Sequence, residues 1–298
     1  MCVFSHRRNR KPFLENTQDM ETLFEKIEYS LALIRKGEKL ALALNPEQGY
    51  VVGFSGGKDS AVLLDLVKRA GVRYMAEYSV TSNDPPENVY FIRQYYPEVR
   101  FLHHERNFFR LMEVKGLPTI FHRFCCEKLK ENVGAGSVVL TGVRAAESAK
   151  RAKYPELNIY SRRKEHADRT KVRTLDSVIE NEHKCIKGKD KVMLYPILKW
   201  TEKDVWQYIQ INGLPVNPCY KTVGRVGCMF CPFARKEELQ MYEERYPKFK
   251  DLFLRSLGVY LSKRTEPDKY GLATPEDYYD WWKSGKPVER YARERGLI

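Results

Sequence analysis

One stretch constrains this chain more than any other. The run Ser55-Gly56-Gly57-Lys58-Asp59-Ser60 lies between a short apolar segment, 49–54, and a helical one that carries Val62, Leu63, Leu66 and Val67 on one face. A strand that ends in a glycine-rich turn and feeds a helix leaves unpaired N–H groups at the helix start, where the helix dipole favours an anion. Gly56 and Gly57 permit close backbone approach, Ser55 and Ser60 supply hydroxyls, and Lys58 adds a mobile positive charge. The run is not a Walker A loop, which has a longer glycine spacing and ends in Gly-Lys-Ser/Thr. The plainer alternative is a strand-to-helix turn that simply needs glycine.

The alternation continues on either side. Residues 17–44 read as a helix, with Leu23, Ile27, Leu31 and Ile34 recurring three or four apart. Strand candidates at 72–79, 99–103 and 138–141 are separated by helical stretches such as 87–95, which points to an α/β fold with a doubly wound, mostly parallel sheet. The expected organisation is a helical segment at 1–47, an α/β domain at 48–234 that carries the anion loop and the paired cysteines, and a C-terminal helical region at 235–298 packed on the same domain. Within it, 149–191 is basic and poor in periodicity and reads as a loop or insertion. Beyond it, 195–198 reads as a strand, and Thr201-Glu-Lys-Asp204 has the spacing of a capping box before a helix at 205–211. Two or three helices rich in Tyr and Trp are expected after 235, lying on the sheet. Trp200 and Trp206 read as core residues, not base-stacking platforms.

A net charge of +13 over 298 residues implies a surface that attracts polyanions, whether nucleotides or nucleic acid. No apolar run is long enough to span a bilayer and no secretory signal is visible, so no membrane contact is expected. The 7 cysteines, with one CxxC and one adjacent pair, suit metal or redox use in a reducing compartment, and the expected location is the cytoplasm. Cys125 and Cys126 are adjacent, and Cys228 and Cys231 form the CxxC. Soft thiolates from two segments suit an iron–sulfur cluster, with zinc as the alternative and an unmetallated buried pair as a third.

The phosphate loop resembles the SGGxDS signature of the adenine-nucleotide α-hydrolase superfamily. His122-Arg-Phe-Cys-Cys-Glu-Lys-Leu-Lys130, Gly142-Val-Arg-Ala-Ala-Glu-Ser148, Pro196-Ile-Leu-Lys-Trp-Thr-Glu-Lys-Asp-Val-Trp206 and Arg225-Val-Gly-Cys-Met-Phe-Cys-Pro232 resemble motifs of the phosphoadenosine phosphosulfate reductase family, in the family's order. The paired cysteines followed by CxxC are similar to those of the 4Fe-4S adenylyl-sulfate reductases. The resemblance implies that Cys125, Cys126, Cys228 and Cys231 ligate a 4Fe-4S cluster. It also implies that Gly142 and Arg144 line the nucleotide site with the loop, and that Arg151 faces the anionic end of the substrate. Glu147 is placed to orient either arginine. Lys128 is expected either to offset the charge of the thiolates or to reach the substrate. Asp84 and Glu87, in the loop after the second strand, read as capping the next helix, with magnesium binding as the alternative.

The family's assimilatory reductases carry a catalytic cysteine in a C-terminal motif; here the last cysteine is Cys231. Cys185, among His183, Lys184 and Lys187, is the substitute nucleophile the sequence offers, alongside the reading of an incidental loop thiol. Three functions follow. The first is thiol-dependent reduction of adenylyl sulfate or its 3′-phosphorylated form (APS or PAPS) to sulfite. The second is ATP-dependent adenylation with pyrophosphate release, as in nucleic-acid thiolation, with magnesium accompanying the ATP. The third is a non-catalytic nucleotide- or cluster-binding subunit. The partners implied are the nucleotide, a thioredoxin-like or other thiol donor, nucleic acid and a second copy of the chain.

Overall fold

Six strands form one sheet in the order β3-β2-β1-β4-β6-β5. They are β1 (Tyr50–Gly53), β2 (Tyr74–Ser79), β3 (Arg100–Leu102), β4 (Val138–Leu140), β5 (Leu157–Tyr160) and β6 (Lys191–Leu194). All neighbours are parallel except β5 on β6. The computed structural model from which this is drawn describes residues 17–131, 133–160, 173–182, 186, 188 and 190–298. Progress through β1, β2 and β3 runs toward one edge, and β4 and β6 run toward the other, so the strand order reverses between β1 and β4. In an open α/β sheet that reversal makes a crevice at the carboxyl ends of the strands, where ligands bind.

Helix α1 (Thr17–Leu44) has the bounds its periodicity predicts. It packs with α2 (Lys58–Ala70) over the sheet; Leu23, Ile34, Val52, Leu63 and Leu140 join in one buried apolar cluster. Tyr50 Oη donates to the Ile34 carbonyl at 2.7 Å and ties α1 to β1. Trp200 is buried in this cluster, while Trp206 is only partly buried at its margin. Helix α3 is Pro86–Tyr95, and α6 is Glu202–Ile211 with Thr201 as its cap, Asp204 N donating to Thr201 Oγ1.

Three sequence expectations are revised. The basic segment 149–191 contains β5, the short helix α5 (Leu175–Ser177) and a π-helical turn, Val178–Glu182. Leu157 and Ile159 alternate with half-buried Asn158 and Tyr160, a period-2 pattern too short to stand out among so many charges. Strand β6 ends at Leu194, so the apolar run at 195–198 is a turn; Pro196 has no N–H to give a ladder.

The third revision concerns the C-terminal helices, which number four: α8 (Lys236–Arg245), α9 (Pro247–Leu261), α10 (Pro275–Ser284) and α11 (Val288–Glu294). Instead of lying on the sheet they form a second apolar cluster with α4 (Phe108–Lys115) and with Phe124, Leu129, Met229 and Phe230, the neighbours of the four cysteines. Phe253 is its hub, with ring centroids at 5.0 Å from Phe230, 5.3 Å from Tyr279 and 5.4 Å from Trp282. No helix among the described residues is long and apolar enough to cross a membrane.

Candidate functional site

The loop 55–60 leaves β1 and opens α2. Gly56 has φ +77°, and a Cβ there would stand 2.2 Å from Asn88 Oδ1, so only glycine fits. Within the loop, Ser55 N donates to Ser60 Oγ at 3.2 Å, and Ser60 Oγ donates to the Gly57 carbonyl at 2.9 Å. Two buried asparagines fix it from outside: Asn88 Nδ2 donates to the Ser55 carbonyl at 3.2 Å, and Asn217 Nδ2 donates to the Gly56 carbonyl at 3.0 Å. These bonds occupy both carbonyls and settle the loop's shape before any ligand arrives.

Across the strand-order reversal, the chain leaving β4 meets this loop. A Cβ on Gly142 would lie 2.8 Å from the carbonyl carbon and oxygen of Asp59, so the approach requires glycine. Two residues on, Arg144 is buried and its Nε donates to Asp59 Oδ1 at 2.5 Å. Lys58 Nζ lies 3.3 Å from Asp59 Oδ2. One carboxylate therefore sits between two cations at the mouth of the crevice. Glu147 accepts from the Arg144 backbone N–H at 2.9 Å and pairs with the half-exposed Arg151, while the Arg144 guanidinium is held by Asp59. The Lys58 ammonium also lies over the rings of Tyr220, at 5.6 Å, and Trp206, at 6.0 Å. Trp206 thus borders the loop as well as the core.

The cysteines are carried on two segments. Cys126 starts a π-helical turn, Cys126–Lys130, and Cys228 and Cys231 lie in the loop after the short helix α7 (Cys219–Thr222). Asn83, in the loop after β2, anchors the second segment. It accepts from Met229 N at 2.8 Å through its carbonyl and from Phe230 N at 3.2 Å through Oδ1, and donates Nδ2 to the Phe230 carbonyl at 3.1 Å. Asp84 accepts from Thr81 N at 3.1 Å and Thr81 Oγ1 at 2.7 Å and faces Cys228 Sγ at 3.8 Å. It does not cap α3, whose start carries no side-chain cap, and Glu87 pairs with Arg245 at 2.6 Å. Both carboxylates that had magnesium as an alternative are engaged elsewhere.

The adjacent thiols act on one another. Within this coupled pair the neighbouring thiol holds Cys126 below its ordinary value, and the same interaction together with burial raises Cys125. The charge of Cys228 adds to that rise, and its own thiol is pushed up to about 11 by burial. Lys130 and Arg123 both supply positive charge to Cys126, and the exposed Lys130 also acts on Cys228. The charge of Cys228 and then that of Asp84 raise the Lys130 ammonium, whereas Lys128, expected in this role, pairs with Glu127 at 3.1 Å. Among the described residues no three His, Cys, Asp or Glu side chains are gathered to hold one metal ion. A 4Fe-4S cluster asks for a different arrangement, one thiolate per iron, and in donor chemistry the four thiols fit it. Cys185 lies outside the described residues. Cys219 is buried, and burial pushes its thiol up to about 11, the reverse of an activated nucleophile.

Residues 49–234 match the phosphoadenosine phosphosulfate reductase domain. The chain belongs to that family. Among curated proteins it is 28% identical over 256 residues to an uncharacterized protein of Methanocaldococcus jannaschii, a match covering 78% of the chain and 56% of the relative. The chain thus spans little more than half of that protein's length. It is 26% identical over 258 residues to a sulfate adenylyltransferase subunit 2 of Geotalea uraniireducens, covering 78% of the chain and 79% of the relative. Among solved structures it is similar to a phosphoadenylyl-sulfate reductase from Candida auris, at 13% identity and a TM-score of 0.43, covering 73% of the chain and 98% of that structure. The corresponding figures for a U34-tRNA thiolase of Methanococcus maripaludis with its 4Fe-4S cluster are 15%, 0.40, 90% and 92%.

The sequence reading missed Asn83, Asn88, Asn217, Tyr220 and Lys130. Single asparagines and tyrosines carry no spacing signature; topology brings these to the loop. Lys130 was legible only as one of two lysines after the cysteine pair.

Proposed function

We propose that this family member is an enzyme that binds ATP with its pyrophosphate on the loop 55–60 and transfers the adenylyl group to an acceptor oxygen. The observation that carries this is the convergence of Lys58 and Arg144 on the Asp59 carboxylate beside the β1/β4 crevice. Asp59 holds both cations beside the start of α2, with Glu202 Oε1 also 3.8 Å from Lys58 Nζ, and a pyrophosphate that exchanges for these carboxylates would meet the two cations and the helix N–H groups together. The acceptor oxygen attacks the α-phosphorus and forms a new P–O bond. The bond from that phosphorus to the bridging oxygen breaks, and its electron pair leaves with pyrophosphate. A hydroxyl acceptor gives its proton to solvent, whereas sulfate, a dianion, has none to lose. Lys58, Arg144 and the N–H groups at the start of α2 stabilise the charge growing on the leaving group. No thiol nucleophile is needed, which accords with the buried, unactivated Cys219. The relative named sulfate adenylyltransferase subunit 2 makes sulfate one acceptor to test and a second subunit one partner to seek. Nucleic acid is another acceptor to test: Phe121 is fully exposed beside the cysteine pair, and Arg123 lies 5.4 Å from the centroid of exposed Phe233.

Cys125, Cys126, Cys228 and Cys231 would hold a 4Fe-4S cluster, which supplies electron-transfer capacity beside the nucleotide. That neighbourhood favours a second reading, reduction of a sulfonucleotide to sulfite by an external thiol donor. Purified protein assayed in parallel for pyrophosphate release from ATP, with sulfate or nucleic acid added, and for sulfite release from sulfonucleotides separates the two. Pyrophosphate with an adenylated acceptor is expected. Sulfite without pyrophosphate would replace the first reading by the second, and neither product would leave a binding subunit.

A further inference from the structure

Resting on the nucleotide site just proposed, we infer that Tyr220 is a positioning residue that holds the place of a phosphate oxygen and gives it up when the nucleotide binds. Helix α2 begins without a side-chain cap of its own. The Lys58 N–H, the donor an incoming phosphate would take, is instead given to Tyr220 Oη at 2.9 Å, across 162 residues of sequence. The neighbouring Gly57 N–H is given to Ser55 Oγ at 3.3 Å. A phenol oxygen is a weak, neutral acceptor, and a phosphate oxygen on the same N–H makes a charge-assisted bond of roughly twice the strength. The Tyr220 ring packs edge-on to Trp206 at 5.3 Å and faces the Lys58 ammonium, so the side chain is held at the loop from three directions.

Tyr220 also belongs to a strap laid across the loop. Asn217 bonds the Gly56 carbonyl, and Val226 Cβ comes within 3.8 Å of where a Gly57 Cβ would be. Val223 is buried in the second apolar cluster beside Met229 and Phe230. Cys228 follows two residues after Val226. A shift of Tyr220 therefore moves the strap that ends at the CxxC, and nucleotide occupancy is felt at the cysteines through contiguous packing.

Tyr220→Phe removes the hydroxyl and leaves the ring. Hydrogen exchange followed by mass spectrometry on the ligand-free proteins should show faster exchange in peptides covering 55–60 for the variant. Calorimetry with α,β-methylene-ATP should show about three- to tenfold tighter binding by the variant, because no bond has to be given up. The analogue should also change exchange across 217–231 in the wild type, and much less in the variant. Unchanged exchange at 55–60 would overturn the inference whatever the nucleotide does. Weaker binding by the variant, at an unchanged melting temperature, would overturn it too, because the hydroxyl would then be contacting the ligand. Accelerated exchange at 55–60 with no analogue bound by either protein would instead sink the proposed function.

Discussion

At the scale of single residues, two glycines decide whether the crevice exists. Gly56 answers to a positive φ, but Gly142 answers to crowding alone, since a Cβ would press on the Asp59 backbone at 2.8 Å. Gly142→Ala should push the loop from its position. The expected result is nucleotide binding weakened on the order of tenfold or more, with the far-ultraviolet circular dichroism unchanged, because backbone atoms cannot yield as a flexible side chain would. Native-like affinity in the alanine variant would mean that β4 and the loop are not so closely apposed. The convergence of Gly142 and Arg144 on the loop was legible because each belongs to a motif. The asparagines that hold the loop were not, because a buried amide is chosen by the carbonyl it meets, and that carbonyl lies far off in sequence.

Elements tell a similar story. The phosphate loop, α1 and the cap of α6 follow from local chemistry and were legible; β5 was not, because its stability comes from pairing with β6 and burying Leu157 and Ile159. The α6 cap has a measurable consequence. Burial alone would raise the Asp204 carboxyl, but hydrogen bonds from Lys26 Nζ, at 2.6 Å, and from Thr201 outweigh it and hold the carboxyl below its ordinary value. A carboxylate lowered on folding adds stability that is fully present above its unfolded pKa, about 4, and is lost as pH falls through the folded value. Asp204→Asn should therefore lower the melting temperature at neutral pH, by a change worth about 1 kcal/mol, and flatten the acid limb below about pH 4. An acid limb as steep in the variant as in the wild type would show that other carboxylates carry it.

For the whole molecule, the chain builds two apolar clusters and places one half of the site on each. The sheet cluster carries the phosphate loop and Arg144, while the helical cluster of α4 and α8–α11 carries the flanks of the cysteines. The motif order singled out both segments, but not that the C-terminal helices would pack against the flanks of the cysteines; their amphipathic pattern does not name its partner surface. Protein purified without oxygen is expected to be brown, with iron and acid-labile sulfide in near-equal amounts, and stoichiometric zinc without sulfide would contradict the cluster. Phe253→Ala should cost about 3–5 kcal/mol and lower iron content more than nucleotide affinity. An equal loss of both would mean that the two clusters do not divide the site.

The pyrophosphate grip of the loop is open to one direct measurement, calorimetric titration of the purified protein with α,β-methylene-ATP and with AMP. The analogue should bind at one site, with AMP weaker by about tenfold or more for want of the β-phosphate. Lys58→Ala should weaken the analogue by roughly 1–3 kcal/mol, about five- to 150-fold, and leave AMP little changed. Equal affinity for AMP and the analogue, or an unaltered isotherm in Lys58→Ala, would contradict a nucleotide held by its pyrophosphate on this loop.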